Sequence, residues 1–356
     1  MISRRRFVSK RRFVVNALII IIVTSVVIIA RFLTPQSVYL QRSLTLSNLE
    51  SSASSKGQPT PKPGKDDSMF TLLPEKLQKT TLLIIINTVP NAVDRRNILR
   101  QTWAKQSSWT ILPSSPDSLP ASGSVVNITY FFMMGYAGYA PVDEIVERES
   151  SLHKDILRVN VIDTYRSMVN KILLTFEWVT TLDIKPHLIA KADHDVYVKT
   201  PELATWLQKT DNISLSKLYT GFVKEGAEVQ RDILSPWYVS EEDFEQKIFP
   251  PYCLGPFYVF SWDLFLDLVT ASKIIKPFPV EDAFMAVLAK NLSVDPFYTG
   301  SDLFNADRHL NSVVLQTSEN KLQIPSGIVL GDSLGPASIN IIHRIYMRRK
   351  LTKTSN

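Results

Sequence analysis

Two aspartates one residue apart stand in Lys191-Ala192-Asp193-His194-Asp195-Val196-Tyr197-Val198, directly after the apolar run His187-Leu188-Ile189-Ala190. Acids at i and i+2 delivered by a buried strand are costly unless positive charge compensates them. A divalent ion bridging a nucleotide diphosphate would do so, since carboxylate oxygens are hard ligands suited to Mg2+ or Mn2+. A solvated, Asp-rich turn is the plainer reading of the same spacing, and both stand at this point.

Three further clusters carry possible chemistry. Val280-Glu281-Asp282-Ala283-Phe284 opens a predicted helix after Pro277-Phe278-Pro279. Its acids either complement the helix dipole or include a general base that takes a proton from an attacking hydroxyl. In Arg95-Arg96-Asn97-Ile98-Leu99-Arg100-Gln101-Thr102-Trp103, Arg96 and Arg100 are four apart and share a helical face. That face is solvated, or contacts an anion near a diphosphate, or packs beneath one. Phe249-Pro250-Pro251-Tyr252-Cys253-Leu254-Gly255-Pro256-Phe257-Tyr258 forces irregular backbone between aromatic rings, which serve as core or stack on sugar faces.

The elements that must position these residues read as alternating strands and helices. Strands are predicted at Thr81 to Ile86, Val125 to Met134, His187 to Ala190, Leu218 to Val223 and Tyr258 to Ser261. Helices are predicted at Asp94 to Trp103, with Asp94 as N-cap, at Asp163 to Val179 and at Glu281 to Lys290. This alternation predicts one α/β domain with a mostly parallel central sheet, in which ligands sit beyond the carboxyl ends of the strands.

Composition frames the domain. Hydrophobic residues make up 45% and charged residues 21% of 356 residues, a globular balance. The net charge of +6 does not describe a nucleic-acid surface. Arg4, Arg5, Arg6, Lys10, Arg11 and Arg12 account for all of it, and the rest of the chain carries acids and bases in equal number. These cations precede an uncharged apolar run from Phe13 to Ala30, extended by Phe32 and Leu33, long enough for a signal anchor. The expected organisation is a cytosolic tail at 1–12, a transmembrane anchor at 13–33 and a Ser/Pro-rich stem at 34–79. A lumenal catalytic domain at 80–345 and a tail at 346–356 complete it. Cys253 is the only cysteine, so no internal disulfide forms. Sequons begin at Asn127, Asn212 and Asn291.

The order and spacing of these segments resemble the beta-1,3-galactosyltransferase and beta-1,3-N-acetylglucosaminyltransferase family. The similar segments are Arg95 to Trp103, the strand end Phe131-Phe132-Met133-Met134-Gly135, and Glu149 with Asp155-Ile156. Asp163-Thr164-Tyr165 with Lys171, Asp193-His194-Asp195, Phe249 to Gly255 and Glu281-Asp282-Ala283 follow in the family's order. Departures are His194 for the middle aspartate, Ala104 and Ala286 for glycines, Ser167-Met168-Val169 after Asp-x-Tyr, and absent cysteines.

The resemblance implies a single Rossmann-like nucleotide-sugar transferase fold preceded by one transmembrane helix, an inverting reaction, and a single-pass type II protein of the Golgi membrane. It implies a donor of UDP-galactose, or UDP-GlcNAc as the alternative, and an acceptor glycan on protein or lipid. Carried over by position, Asp195 ligates Mn2+, Asp193 contacts the uridine-ribose side, and Asp282 is the catalytic base. Arg96 and Arg100 lie toward the donor, and His343 resembles a late histidine that reaches the metal. The departures motivate a competing reading, a catalytically silent partner or chaperone of an active transferase.

Overall fold

The computed structural model describes residues 79–105, 107–111, 124–210, 216–298 and 303–354. In chain order the elements are β1 (Leu82–Asn87), α1 (Val93–Gln101), β2 (Ser107–Ile111), β3 (Ser124–Tyr136), α2 (Ala140–His153), β4 (Ile156–Ile162) and α3 (Met168–Thr180). There follow β5 (Leu188–Asp193), β6 (Tyr197–Val198), α4 (Thr200–Thr210), β7 (Tyr219–Lys224), β8 (Tyr252–Ser261), α5 (Trp262–Ser272) and α6 (Glu281–Asn291). The chain finishes with β9 (Phe297–Tyr298), β10 (Phe304–Asn305), α7 (Leu310–Gln316), β11 (Val329–Leu330) and α8 (Pro336–Thr354).

The main sheet runs β2-β3-β1-β5-β8-β7-β9, with β4 also paired to β3. The long β3 serves two partners on one edge: its first residues pair with β2 and its last with β4. β1 lies between β3 and β5, parallel to both. Its sequence Leu-Leu-Ile-Ile-Ile-Asn is buried throughout, as a strand covered on both faces requires. Leu82, Ile84 and Ile86 enter one core, which includes Ile342 of α8. Leu83 and Ile85 enter the other, with Phe176 of α3 and Phe284 of α6. A small second sheet joins β10, β11 and β6.

The expected architecture is corrected in two respects. The sheet is mixed rather than mostly parallel, because β8 pairs antiparallel with both β5 and β7, and β2 antiparallel with β3. Nor is a transmembrane helix part of the described fold: no helix among the described residues is long and apolar enough to cross a membrane. The longest, α8, carries Arg344, Arg348, Arg349, Lys350 and Lys353. The predicted cytosolic tail 1–12 and anchor 13–33 lie outside the described residues, as does the stem before Lys79. At the other end α8 continues past 345, with Tyr346 buried. Of the sequons, Asn291 is exposed at the end of α6, Asn127 donates its amide to the Lys79 carbonyl at 2.7 Å, and Asn212 is outside the described residues.

Buried ion pairs tie the parallel half together. The Arg96 side chain is wholly buried and donates to both Glu149 oxygens, at 2.9 and 2.6 Å, and to the Val89 and Pro90 carbonyls. Arg100 forks onto Asp155 with two bonds of 2.8 Å and reaches Glu149 at 2.7 Å, its guanidinium over the Phe132 ring. These bonds lock α1 to α2 and to the start of β4. Lys171 of α3 bonds Asp163 at 2.9 Å and the Thr88 carbonyl at 3.0 Å, while Asp163 accepts the Gly135 N–H at 2.9 Å. Gly135 has to be glycine, since a Cβ there would lie 2.4 Å from the Val161 carbonyl oxygen.

Removing Glu149 leaves Arg96 charged and buried without a counterion. Glu149→Ala is expected to destabilise by about 3–5 kcal/mol, read as a lowered urea midpoint of the full-length chain. Burial opposes ionisation of Glu149, but Arg96 and Arg100 outweigh it and hold the carboxyl below its usual range. Its contribution is therefore complete above the ordinary glutamate pKa and lost as pH falls through the lowered native value, so the gap to the variant narrows in acid.

Candidate active site

The carboxyl ends of β1 and β5 lie side by side, with Asn87 in register with Asp193. The Asn87 amide donates to Asp193 Oδ1 at 2.8 Å, and the His194 N–H donates to the Asn87 carbonyl at 3.1 Å. Asn87 Oδ1 is left buried without a hydrogen-bond partner. The next residue down each strand end is also joined, by a 2.7 Å bond between Thr88 Oγ1 and His194 Nδ1. Burial first, then the Arg95 charge, lowers the His194 pKa to about 3, so this ring is neutral. The loop beyond is fixed on both sides: Trp103 Nε1 donates to the Val196 carbonyl at 3.0 Å, and the Leu334 N–H to the Asp195 carbonyl at 2.8 Å.

Lys191, two residues before Asp193 on β5, is 1% exposed. Its ammonium lies 2.8 Å from Asp193 Oδ1, 3.6 Å from Glu281 Oε2 and 2.5 Å from the Gly255 carbonyl, beside the Tyr258 ring. Burial alone would lower its pKa; Asp193 and Glu281 more than reverse this, and the group stays charged. Glu281 in turn is raised to about 7, by burial first and against the pull of Lys191, and accepts the Tyr258 hydroxyl.

Asp282 sits one residue on, in the first turn of α6. Its Oδ2 accepts the Gly255 N–H and its Oδ1 the Ala283 N–H, both at 2.9 Å. Each carboxylate oxygen therefore keeps a lone pair for an incoming hydroxyl proton. Burial raises the Asp282 pKa, partly offset by the Gly255 bond and by Lys191. Gly255 thus contacts Lys191 through its carbonyl and Asp282 through its N–H. A Cβ on it would come within 3.3 Å of Asp282 Oδ2. Aromatic groups flank the base. Desolvation first and the Asp282 charge second raise the Tyr165 and Tyr252 hydroxyls to about 12 each, with the Trp237 side chain acting the other way on Tyr165. Tyr165 and Trp237 are 45% and 48% exposed, open to a ligand.

Asp193 and Asp282 are thus linked through Lys191 and Gly255, and Asp195 lies close enough to Asp193 for their charges to interact. Arg96 and Arg100 have their donors engaged by Glu149, Asp155 and backbone carbonyls. His343, on α8, bonds the Tyr197 hydroxyl through Nδ1 at 2.9 Å. Among the described residues no group of three or more His, Cys, Asp or Glu side chains is placed to hold a metal. Asp193 and Asp195 nonetheless fit a hard divalent ion whose remaining ligands come from a substrate diphosphate and water. Burial, then the Asp193 charge, raises the Asp195 pKa to about 7, against the pull of Arg95 and Lys191. Lys191, Gly255 and Arg95 escape a reading by motif. A lysine within an otherwise apolar strand was the one available signal, since a buried cation must find acids.

Residues 94–298 match the family model described as Galactosyltransferase, a span that contains Asp193, Asp195 and Asp282. Over 226 residues the chain is 26% identical to beta-1,3-galactosyltransferase 1 of Mus musculus and of Homo sapiens, covering 63% of this chain and 65% of the relative. It is 28% identical over 231 residues to the lactosylceramide 1,3-N-acetyl-beta-D-glucosaminyltransferase of Mus musculus, covering 63% of this chain and 58% of the relative. Each match therefore spans less than two thirds of the relative's length. A crystal structure of galactosyltransferase LgtC in complex with donor and acceptor sugar analogues is similar at a TM-score of 0.33 and 10% identity, covering 72% of this chain and 88% of that one.

Gly255→Ala tests the support of Asp282. The added methyl should displace the carboxylate by a few tenths of an ångström, read in a crystal structure of the variant, while the thermal midpoint moves little.

Proposed function

The chain belongs to the galactosyltransferase family, and on that premise we propose that it is an inverting hexosyltransferase that moves galactose from UDP-galactose to the 3-hydroxyl of an acceptor glycan. The observation that carries the reading is the buried Lys191 ammonium, bonded to Asp193 on the donor side and to the Gly255 carbonyl on the side of Asp282, with Glu281 as a second ion-pair partner. One support thereby holds a nucleotide-facing acid and a base about a common cleft.

In this reading Asp282 takes the proton of the acceptor hydroxyl as its oxygen attacks the anomeric carbon. The bond from that carbon to the phosphate oxygen breaks, and UDP leaves with the electron pair. Attack from the face opposite the leaving group converts the donor's alpha linkage to beta in a single displacement. A base suffices for this, and no covalent sugar-enzyme intermediate forms. The backbone bonds from Gly255 and Ala283 orient Asp282 before substrate arrives. Tyr165 and Trp237 offer exposed aromatic faces to an acceptor sugar. A divalent ion, Mn2+ in this proposal, would be held by Asp195 beside Asp193 and would neutralise charge developing on the departing UDP. UDP-GlcNAc is the second donor reading, favoured by similarity to an N-acetylglucosaminyltransferase at comparable identity. The proposed compartment is the Golgi lumen, in keeping with the exposed Asn291 sequon.

Incubating the full-length chain with UDP-galactose or UDP-GlcNAc and an array of acceptor glycans, with MnCl2 or with EDTA, tests this. Metal-dependent transfer of galactose in a beta-1,3 linkage is expected, and Asp282→Asn should lower kcat by roughly 10²–10⁴-fold with UDP affinity unchanged. Undiminished transfer by that variant would remove the base assignment, and UDP binding without turnover by the wild type would leave a silent relative. Since the native Asp282 pKa is raised and the base must be ionised, the acid limb of kcat/KM should fall at a pH above the ordinary aspartate range.

A further inference from the structure

The cations around the strand ends are almost all matched by acids. Lys191 pairs with Asp193 and Glu281, Lys171 with Asp163, Arg96 and Arg100 with Glu149 and Asp155, and Arg308 with Asp332. Arg95, beside the acid pair, is not matched: among the described residues it forms no ion pair, and its one side-chain hydrogen bond runs from Nη1 to the Leu334 carbonyl at 2.7 Å. A guanidinium has five N–H donors, so most of its capacity is unused, although the residue is half-buried.

Its position is set with some care. Leu334 accepts from Arg95 through its carbonyl and donates to the Asp195 carbonyl through its N–H, so one residue places Arg95 beside the acid pair. The turn that presents Leu334 is tight, with Gly331 at φ +78°, where a Cβ would meet Leu334 Cγ at 2.7 Å. The Arg95 charge acts on both His194 and Asp195. A half-buried guanidinium held next to the proposed nucleotide face, without an acid of its own, is suited to a ligand anion. Its planar fork matches phosphate oxygens bidentately.

We propose that Arg95 binds the diphosphate of the donor nucleotide, supplying from the α1 side the positive charge that the Asp193 and Asp195 carboxylates on β5 and the loop after it cannot. The assignment rests on the nucleotide-sugar reading above. It gives the departing UDP a fixed positive partner belonging to the protein itself, which compensates charge as the sugar–phosphate bond breaks.

Calorimetric titration of the full-length chain with uridine and with UDP, both in MnCl2, tests it on wild type, Arg95→Gln and Arg95→Lys. UDP affinity should fall roughly 10- to 100-fold in Arg95→Gln, with uridine affinity unchanged and partial recovery in Arg95→Lys. Equal losses for uridine and UDP would assign Arg95 only the structural task of holding Leu334, and unchanged UDP affinity would likewise overturn the inference. Failure of the wild type to bind UDP would instead overturn the nucleotide-sugar reading on which it rests.

Discussion

A charged ammonium with 1% exposure, in the middle of a sheet, dictates much of what surrounds it. Leaving Lys191 unpaired would cost several kcal/mol, more than a domain of this size can disregard. Asp193, Glu281, the Gly255 carbonyl and the Tyr258 ring answer that demand from β5, α6 and β8. Because those groups come from three separate elements, neutralising one charge also fixes where β8 and α6 meet the strand-end acids. Electrostatic necessity and site assembly are here the same event.

The segments shared with relatives divide into two tasks. Most of them build the platform: Arg96 and Arg100 with Glu149 and Asp155, Asp163 with Lys171, and Gly135 where β3 and β4 approach most closely. A smaller set, Asp193, Asp195, Asp282 and Tyr165, belongs to the proposed site. The ion pairs of the platform are matched among themselves, whereas the ends of β1 and β5 retain an orphan acceptor on Asn87 and an acid, Asp195, raised first by burial.

Strand positions were legible in the sequence because a strand covered on both faces must be continuously apolar, as in Leu82–Asn87 and in the approach to Asp193. Helix α6 and its acidic first turn also coincide with expectation. Boundaries set by side-chain bonding were less visible. Asp94 lies within the first turn of α1, and Ala92 occupies the cap. The helix expected from Asp163 begins only at Met168, since Asp163 is drawn to Lys171 and Gly135 while Ser167 and Thr164 bond each other. β8 begins six residues earlier than Tyr258, ahead of Pro256, because Tyr252 and Cys253 pair antiparallel with Lys224 and Val223 of β7. That antiparallel insertion is what makes the sheet mixed, and alternating strand and helix patterns do not encode it. Which arginine is left without an acid was illegible for a related reason. Arg95, Arg96 and Arg100 are chemically alike, and only the location of Glu149 and Asp155 in space separates them.

Cys253 was the least informative residue of the sequence and has a definite consequence in the fold. It is wholly buried on β8, its N–H bonded to the Tyr219 hydroxyl and its side chain against Gly221, and burial pushes the thiol far from ionisation. As the sole sulfhydryl of the chain it has no intramolecular partner to oxidise with, and no path to an external one while the strand is intact. The native state of this domain is therefore indifferent to the redox poise of its compartment, and its maturation requires neither an oxidant nor disulfide isomerisation.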